Sequence, residues 1–299
     1  MSNRVAVVGL HGQLGGPILR ALVLPELNDS ISLPILAISR DPSEEPVESD
    51  DIEYCQASDY IGYLDHLYGI DIVIDLRPGL TSLSLDLVNA SADAGVKVYV
   101  ASFFSPDLFA TPWGESVMFS KFEQVQTARI RNLRTVLMRV GFFAEAVLQM
   151  PQLLGLYPDK GIYLTCETAD DPQSVTFVED IGKAVAGLCN LPIDDIPEDV
   201  FIQSDSISQT QLAKLYTSVT GKSLKSVRRP KVEVEVTADR IAESNSSSSD
   251  DFIKVLQAIA LTTSHNDFSQ DNNNDMLNNG RFEWTEFVPN ANRFWKSSN

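Results

Sequence analysis

The sequence predicts an α/β protein: a doubly wound parallel sheet followed by a smaller mixed α/β portion. Three observations carry that prediction. A β-branched apolar run, Val5 to Val8, ends in glycines spaced G-x-x-G-x-x-G at Gly9, Gly12 and Gly15, and Pro17 to Leu22 follow with helical spacing. Short apolar runs then alternate with amphipathic patterns to about residue 155, as in a parallel sheet covered on both faces. Beyond that point the alternation loosens.

The first strand, turn and helix bear most of the functional reading. A helix N-terminus offers spare N–H groups and the positive end of its dipole, which favour a phosphate. Gly9 permits the sharp turn, Gly12 lets backbone approach a pyrophosphate, and Gly15 lets helix pack on strand. Pro17 suits the first helical turn, where its missing N–H costs nothing. The segment Gly9-Leu10-His11-Gly12-Gln13-Leu14-Gly15 is therefore read as a dinucleotide-binding turn. His11 is either a phosphate contact or a plain turn residue.

Leu33 to Ser39 is predicted as the second strand, closing at Arg40. Asp41 to Glu53 reads as an exposed loop and Ile52 to Ala57 as the third strand. Ser58 is expected to cap a helix with Ile61, Leu64, Leu67 and Tyr68 on its apolar face. Ile70 to Leu76 is strand four, Ser82 to Ala94 a helix stopped by Gly95, and Val96 to Ala101 strand five. Glu115 to Arg131 is a helix, Thr135 to Val140 strand six, and Phe142 to Gly155 a further helix. Val175 to Val178 is a short strand before a helix that Asp180 caps with its own carboxylate. Ser208 with Gln211 forms a capping box for a helix ending at Gly221. Lys231 to Thr237 alternates as a half-exposed strand does. The polar segments Ser244 to Asp251 and Asn266 to Gly280 are read as mobile loops. The aromatic tail (Phe282, Trp284, Phe287, Phe294, Trp295) is expected to pack into a core.

Composition narrows the function classes. The 299 residues carry 23 Lys and Arg against 41 Asp and Glu, a net charge of -18, which repels nucleic acid. The tightest basic cluster, Lys222 to Lys231, reads as a solvated turn. Mean hydropathy is -0.05, and no window approaches the ~18 apolar residues of a membrane span. Neither a membrane nor direct nucleic-acid contact is expected. The N-terminus runs straight into a strand, so no secretory leader is expected. Cys55, Cys166 and Cys189 cannot all pair, and His11, His66 and His265 lack metal-ligand spacing. The reading is a cytoplasmic protein, with the nucleus also compatible, and no metal.

In such sheets ligands bind past the carboxyl ends of the strands. That places Leu76 and Arg77, Ser102 to Phe104, and Gly141 to Phe143 beside the glycine turn. Arg40 ends strand two, the position facing the adenosine ribose. An acidic residue there accepts the 2′-hydroxyl of NAD, whereas arginine suits a 2′-phosphate. NADP, bound as NADPH, is thus favoured over NAD.

The glycine turn, Arg40, Asp71-Ile72-Val73-Ile74-Asp75, the run Ala94 to Phe104, Lys121 and Val178-Glu179-Asp180-Ile181-Gly182-Lys183 occur in an order that resembles one family. It is the NmrA-like branch of the atypical short-chain dehydrogenases/reductases, which includes isoflavone reductase-like and quinone reductase-like enzymes and nucleotide-sensing regulators. The resemblance covers about residues 4–225. It implies a Rossmann-type NAD(P)-binding domain over 1–155, with 175–190 returning to it. A smaller mixed α/β substrate or partner domain follows over 156–299. It also implies that Lys121 holds the nicotinamide ribose or polarises an acceptor, with Ser102 able to orient substrate or cap a loop. Phe103, Phe104, Phe142 and Phe143 are the candidates to flank a flat acceptor, with core packing as their other reading.

The departures bear on chemistry. Many short-chain reductases carry a proton-donating tyrosine four residues before the lysine, and Val117 stands there. The family's Pro-Ser-Glu-Phe-Gly pattern is Ala101-Ser102-Phe103-Phe104-Ser105, without its carboxylate, and His11 replaces a small residue. Two readings stay open: an NADPH-dependent reductase of a small aromatic or quinone-like acceptor, and a non-catalytic NADP(H)-sensing regulator acting through a protein partner. A nucleotide-sugar epimerase needs the Tyr-Lys pair and is weak.

Overall fold

In the computed structural model, which describes residues 2–41, 45–79, 83–244 and 248–297, β1 (Asn3–Val8) lies in the interior of the large sheet. Its side chains alternate between two cores. Val5 and Val7 face one and Ala6 and Val8 the other, as a strand buried on both faces requires. Around it stand β2 (Ile31–Ser39), β3 (Ile52–Gln56), β4 (Ile72–Asp75), β5 (Val98–Val100) and β6 (Arg134–Arg139). All pair in parallel in the order β3-β2-β1-β4-β5-β6. Strand order reverses between β1 and β4, and the cleft described below opens there.

Helix α1 (Gly15–Val23) covers one face, while α2 (Tyr60–Leu67), α3 (Asp86–Asp93), the short α4 (Gly114–Val117) and α5 (Phe119–Ile130) cover the other. Two-residue β7 (Phe142–Phe143) leads into α6 (Ala144–Gln149), then β8 (Leu156–Tyr157), β9 (Ile162–Thr165) and β10 (Gln173–Thr176). Helix α7 (Val178–Cys189) returns to pack on α1, and β11 (Asp199–Phe201) joins the large sheet beside β6. The strands β12 (Asp205–Ile207) and β13 (Lys225–Arg228) complete two small sheets, β12-β10-β7 and β13-β9-β8. Helices α8 (Gln209–Thr220), α9 (Lys231–Glu243), α10 (Ser249–Thr262), α11 (Asn274–Asn278) and α12 (Phe287–Ser297) finish the chain. Ser208 and Gln211 form the expected capping box on α8. Among the described residues no helix is long and apolar enough to cross a membrane.

Several expected elements differ. Lys231 to Thr237 is helical, not a strand. Val234, Ala238 and Ile241 face the core at intervals of four and three, and Arg229–Glu233 and Lys231–Glu235 pair one turn apart. Asp59, not Ser58, caps α2, accepting the Gly62 N–H at 2.9 Å. Its buried face is Tyr63 and Leu67, with Ile61 61% and Tyr68 60% exposed. Met118 breaks the helix expected over Glu115 to Arg131. The helix expected over Phe142 to Gly155 is β7, α6 and a tight turn at Pro151–Leu154, because proline at 151 cannot continue α6.

Asp180 lies inside the first turn of α7 and does not cap it. The Glu145 carboxylate caps instead, accepting the Val178 N–H at 3.2 Å. Asp180 bonds Lys183, Ser204 and the Thr285 N–H. Ser249 to Asp251 open α10, with Ser248 as its cap. Asn266 to Gly280 packs against the body as a strap that contains α11. Asn266, Phe268 and Leu277 are buried in it, and Asn273 and Asn274 bond the backbone of Phe201 and Gln203. The rest of the Ser244 to Asp251 loop (245–247), part of the Asp41 to Glu53 loop (42–44) and the predicted helix start at Ser82 lie outside the described residues. In the aromatic tail Phe287 and Trp295 are buried, while Phe282, Trp284 and Phe294 pack partly buried against the cores.

Candidate functional site

A cleft of about 480 Å³ lies at the carboxyl ends of β1, β4, β5 and β6. Its floor begins with the glycine turn, whose Gly12, Gln13 and Leu14 line it. Gly9 has φ +94°, and a Cβ there would sit 2.6 Å from the Arg77 nitrogen. A Cβ on Gly15 would meet the Leu10 carbonyl oxygen at 1.8 Å. Both glycines are needed by the protein's own packing. Gly12 differs, since a Cβ there would meet nothing within 4 Å. Among the described residues no side chain caps α1, and no acidic residue lies in its first turn, which leaves its N–H groups open to an anion.

The centre of the floor is a buried ionic network. Asp75, 0% exposed at the end of β4, accepts five hydrogen bonds. Arg77 supplies its backbone N–H at 2.9 Å, Nε at 3.0 Å and Nη2 at 2.9 Å. Tyr99 Oη donates at 2.6 Å and Gln124 Nε2 at 2.7 Å. Burial alone would raise the Asp75 carboxyl, but the Arg77 charge and these donors outweigh it and hold it below its ordinary value. Arg77 Nη1 reaches the Ser84 carbonyl at 3.2 Å. Its whole guanidinium is thus engaged.

Ser102, just past β5, donates to the Arg77 carbonyl at 2.9 Å and accepts from Lys121 Nζ at 3.1 Å. Lys121 comes from α5, one turn before Gln124, so both reach the same strand ends. Burial pushes the Lys121 ammonium down to about 8, opposed by the negative charge of Asp75. Lys121 and Arg77 are the charged side chains lining the cleft.

The far end is apolar. Phe104 lines it past β5, Phe142 and Phe143 past β6, and Met150 and Leu153 past α6. Phe252, Ile253 and Leu256 of α10 close the side.

The structure thus gathers Gly12, Gln13, Leu14, Leu76, Arg77, Ser102, Phe104, Lys121, Phe142 and Phe143 in one cleft. Phe103 is not among them. It points to the opposite side of its strand end and is wholly buried against Phe109 and Phe122. Leu10 is buried beneath the turn, and Val117 is core. His11 is exposed, with Nε2 3.2 Å from the Asp41 carbonyl oxygen. Arg40 is exposed at the end of β2, outside the cleft; its carbonyl accepts from Gln56 and its guanidinium forms no ion pair among the described residues. Sequence reasoning missed the Asp75 network and the α10 wall. An acid ending an apolar strand two residues before an arginine was the available signal for the first.

No family model and no curated protein matches the chain. Solved structures do share its fold. An isoflavone reductase superposes with TM-score 0.76 at 16% identity, covering 98% of this chain and 100% of that one. An NADPH-dependent quinone oxidoreductase from Escherichia coli, complexed with NADPH, gives 0.69 at 17%, over 97% and 99%. The negative transcriptional regulator NmrA gives 0.68 at 14%, over 100% and 97%. The likeness to all three spans nearly the whole of this chain and takes in both its Rossmann-type sheet and its smaller sheets.

Proposed function

We propose that the protein is an NADPH-dependent reductase of a small aromatic or quinone-like acceptor, in the NmrA-like branch of the short-chain reductases. One observation carries this: a single cleft runs from the open glycine turn to an apolar chamber, with Lys121 and Ser102 between them. The cradle fits the nucleotide. Space at Gly12 and the N-terminus of α1 suit a diphosphate, and the exposed guanidinium of Arg40 at the end of β2 suits a 2′-phosphate. NADPH, when bound, supplies a hydride to the acceptor. Gly9, Leu10 and Gly15 shape the turn; Gln13, Leu14, Leu76 and the Arg77 backbone border it. Lys121 Nζ holds a proton beside Ser102, and Phe104, Phe142, Phe143 and Phe252 exclude water and flank a flat acceptor. Residues 156–299 contribute the acceptor side through α10. The E. coli quinone oxidoreductase complexed with NADPH supports this cofactor and substrate class.

A sensor of NADP(H) acting through a protein partner is the second reading. It is favoured by Val117, a core residue where a proton-donating hydroxyl would be needed, and by the fold shared with the regulator. Stopped-flow oxidation of bound NADPH against quinones and phenylpropanoid-like acceptors separates the two. Acceptor-dependent decay is expected; its absence across the panel leaves the sensor.

A further inference from the structure

We infer that Asp75 is the positioning residue of this cleft: its carboxylate clamps the Arg77 turn on which Ser102 and Lys121 are hung, and its charge keeps a cation at Lys121. The role given to Lys121 rests on the reductase reading; the clamp itself does not. Two observations point this way. A buried ionic pair is rarely the cheapest way to fill a core, and it survives only when every polar atom is satisfied. Here five donors converge on one carboxylate, and they do so at the strand ends beneath the cleft instead of deep in the sheet.

The second observation is connectivity. The Arg77 backbone lies where a Gly9 Cβ would strike it, bonds Asp75 through its N–H, and accepts Ser102 through its carbonyl. Ser102 in turn receives Lys121. One residue's backbone therefore joins the glycine turn to the lysine, and Asp75 holds that residue.

The charged and titratable groups behind Lys121 are Asp75 on β4, Arg77 just past it and Tyr99 on β5. Glu115 on α4 and Glu123 on α5 face solvent, and Glu145 on α6 is taken up by the N-terminus of α7. On α10, Asp250 faces solvent and Lys254 pairs with Asp251.

The test is the side-chain NMR titration of Lys121 in protein labelled at lysine, its signal assigned by loss in Lys121→Ala. In Asp75→Asn the midpoint should fall by about one pH unit, because the ammonium loses a nearby opposite charge. In Arg77→Gln it should rise, because the carboxylate loses its counter-charge. The opposite signs cannot come from a general loosening of the fold, which would raise both; if Asp75→Asn does not fold, the paired variant Asp75→Asn/Arg77→Gln takes its place, and its midpoint should lie below that of Arg77→Gln alone. A midpoint unmoved, or moved the same way in both variants, overturns the proposal. Wild-type turnover in the acceptor panel reports separately on the reductase reading, so either can fail while the other stands.

Discussion

The two ends of the cleft are built on different principles. The glycine-turn end is made of backbone and buried charge: a glycine turn, a helix N-terminus and a carboxylate with five donors. The far end is made of apolar side chains from α6, α10 and the loops past β5 and β6. Backbone shape admits one occupant and fails on the addition of a single carbon. A wall of rings and methyls sets size and flatness, and it yields by degrees.

The sharpest way to break this contrast is at two glycines of one turn. Gly12→Val should abolish NADPH binding and leave the fold intact, because its side chain enters open space that the pyrophosphate needs. Gly15→Ala should instead unfold the turn, since its Cβ would overlap the Leu10 carbonyl. Calorimetric binding beside thermal denaturation checks both, and a Gly12→Val protein that binds NADPH normally would place the phosphates elsewhere. Lys121→Ala is next. It should cut turnover by about 10²-fold or more and NADPH affinity far less, as loss of a proton-holding group does. In the wild type, turnover should fall as pH rises through about 8, where Lys121 loses its proton; a rate flat from pH 7 to 9.5 contradicts that role.

Arg40→Ala should weaken NADPH binding by roughly 1.5–3 kcal/mol and spare NADH. Equal losses for both nucleotides would refute the 2′-phosphate assignment. The smallest effect belongs to the acceptor wall. Phe252→Ala should raise acceptor KM by about tenfold, on the order of 1–2 kcal/mol of lost apolar contact, with NADPH affinity unchanged. A matching change in NADPH affinity would mean the two ends are not separable.

The same contrast explains what the sequence could disclose. The glycine-turn end is local: strand, turn and helix occupy 21 consecutive positions from Asn3 to Val23, and their glycine spacing states the geometry directly. The β-α alternation gave the sheet because a strand buried on both faces has to be apolar throughout. Phe252 and Leu256 could be read as apolar but not as cleft residues, since nothing local says that α10 packs against the Pro151–Leu154 turn at the side of the cleft. Phe103 and Phe104 are adjacent and similar, yet one is core and the other lines the cleft. Only the strand's end geometry decides between them. At Lys231 to Thr237 a perfect two-residue alternation was misleading. Pro230 starts a helix there, and its buried stripe becomes visible only when Ala238 and Ile241 are included.

The asparagine strap has a consequence of a different kind. β11 is the outermost strand on its side of the large sheet, and an outermost strand offers free N–H and C=O groups to any other chain's strand. Those of Phe201 and Gln203 are already taken. Phe201 donates to Asn273 Oδ1 at 2.8 Å and accepts the Asn273 N–H at 2.7 Å. Gln203 donates to Asn274 Oδ1 at 3.2 Å and accepts from Asn274 Nδ2 at 2.7 Å. The Asn273 N–H and the amides of Asn273 and Asn274 imitate a neighbouring strand without being one, which blocks strand addition at the carboxyl end of β11. A tract whose composition reads as a mobile loop thus serves as an end-stop of the sheet, and losing it would expose an edge ready for aggregation.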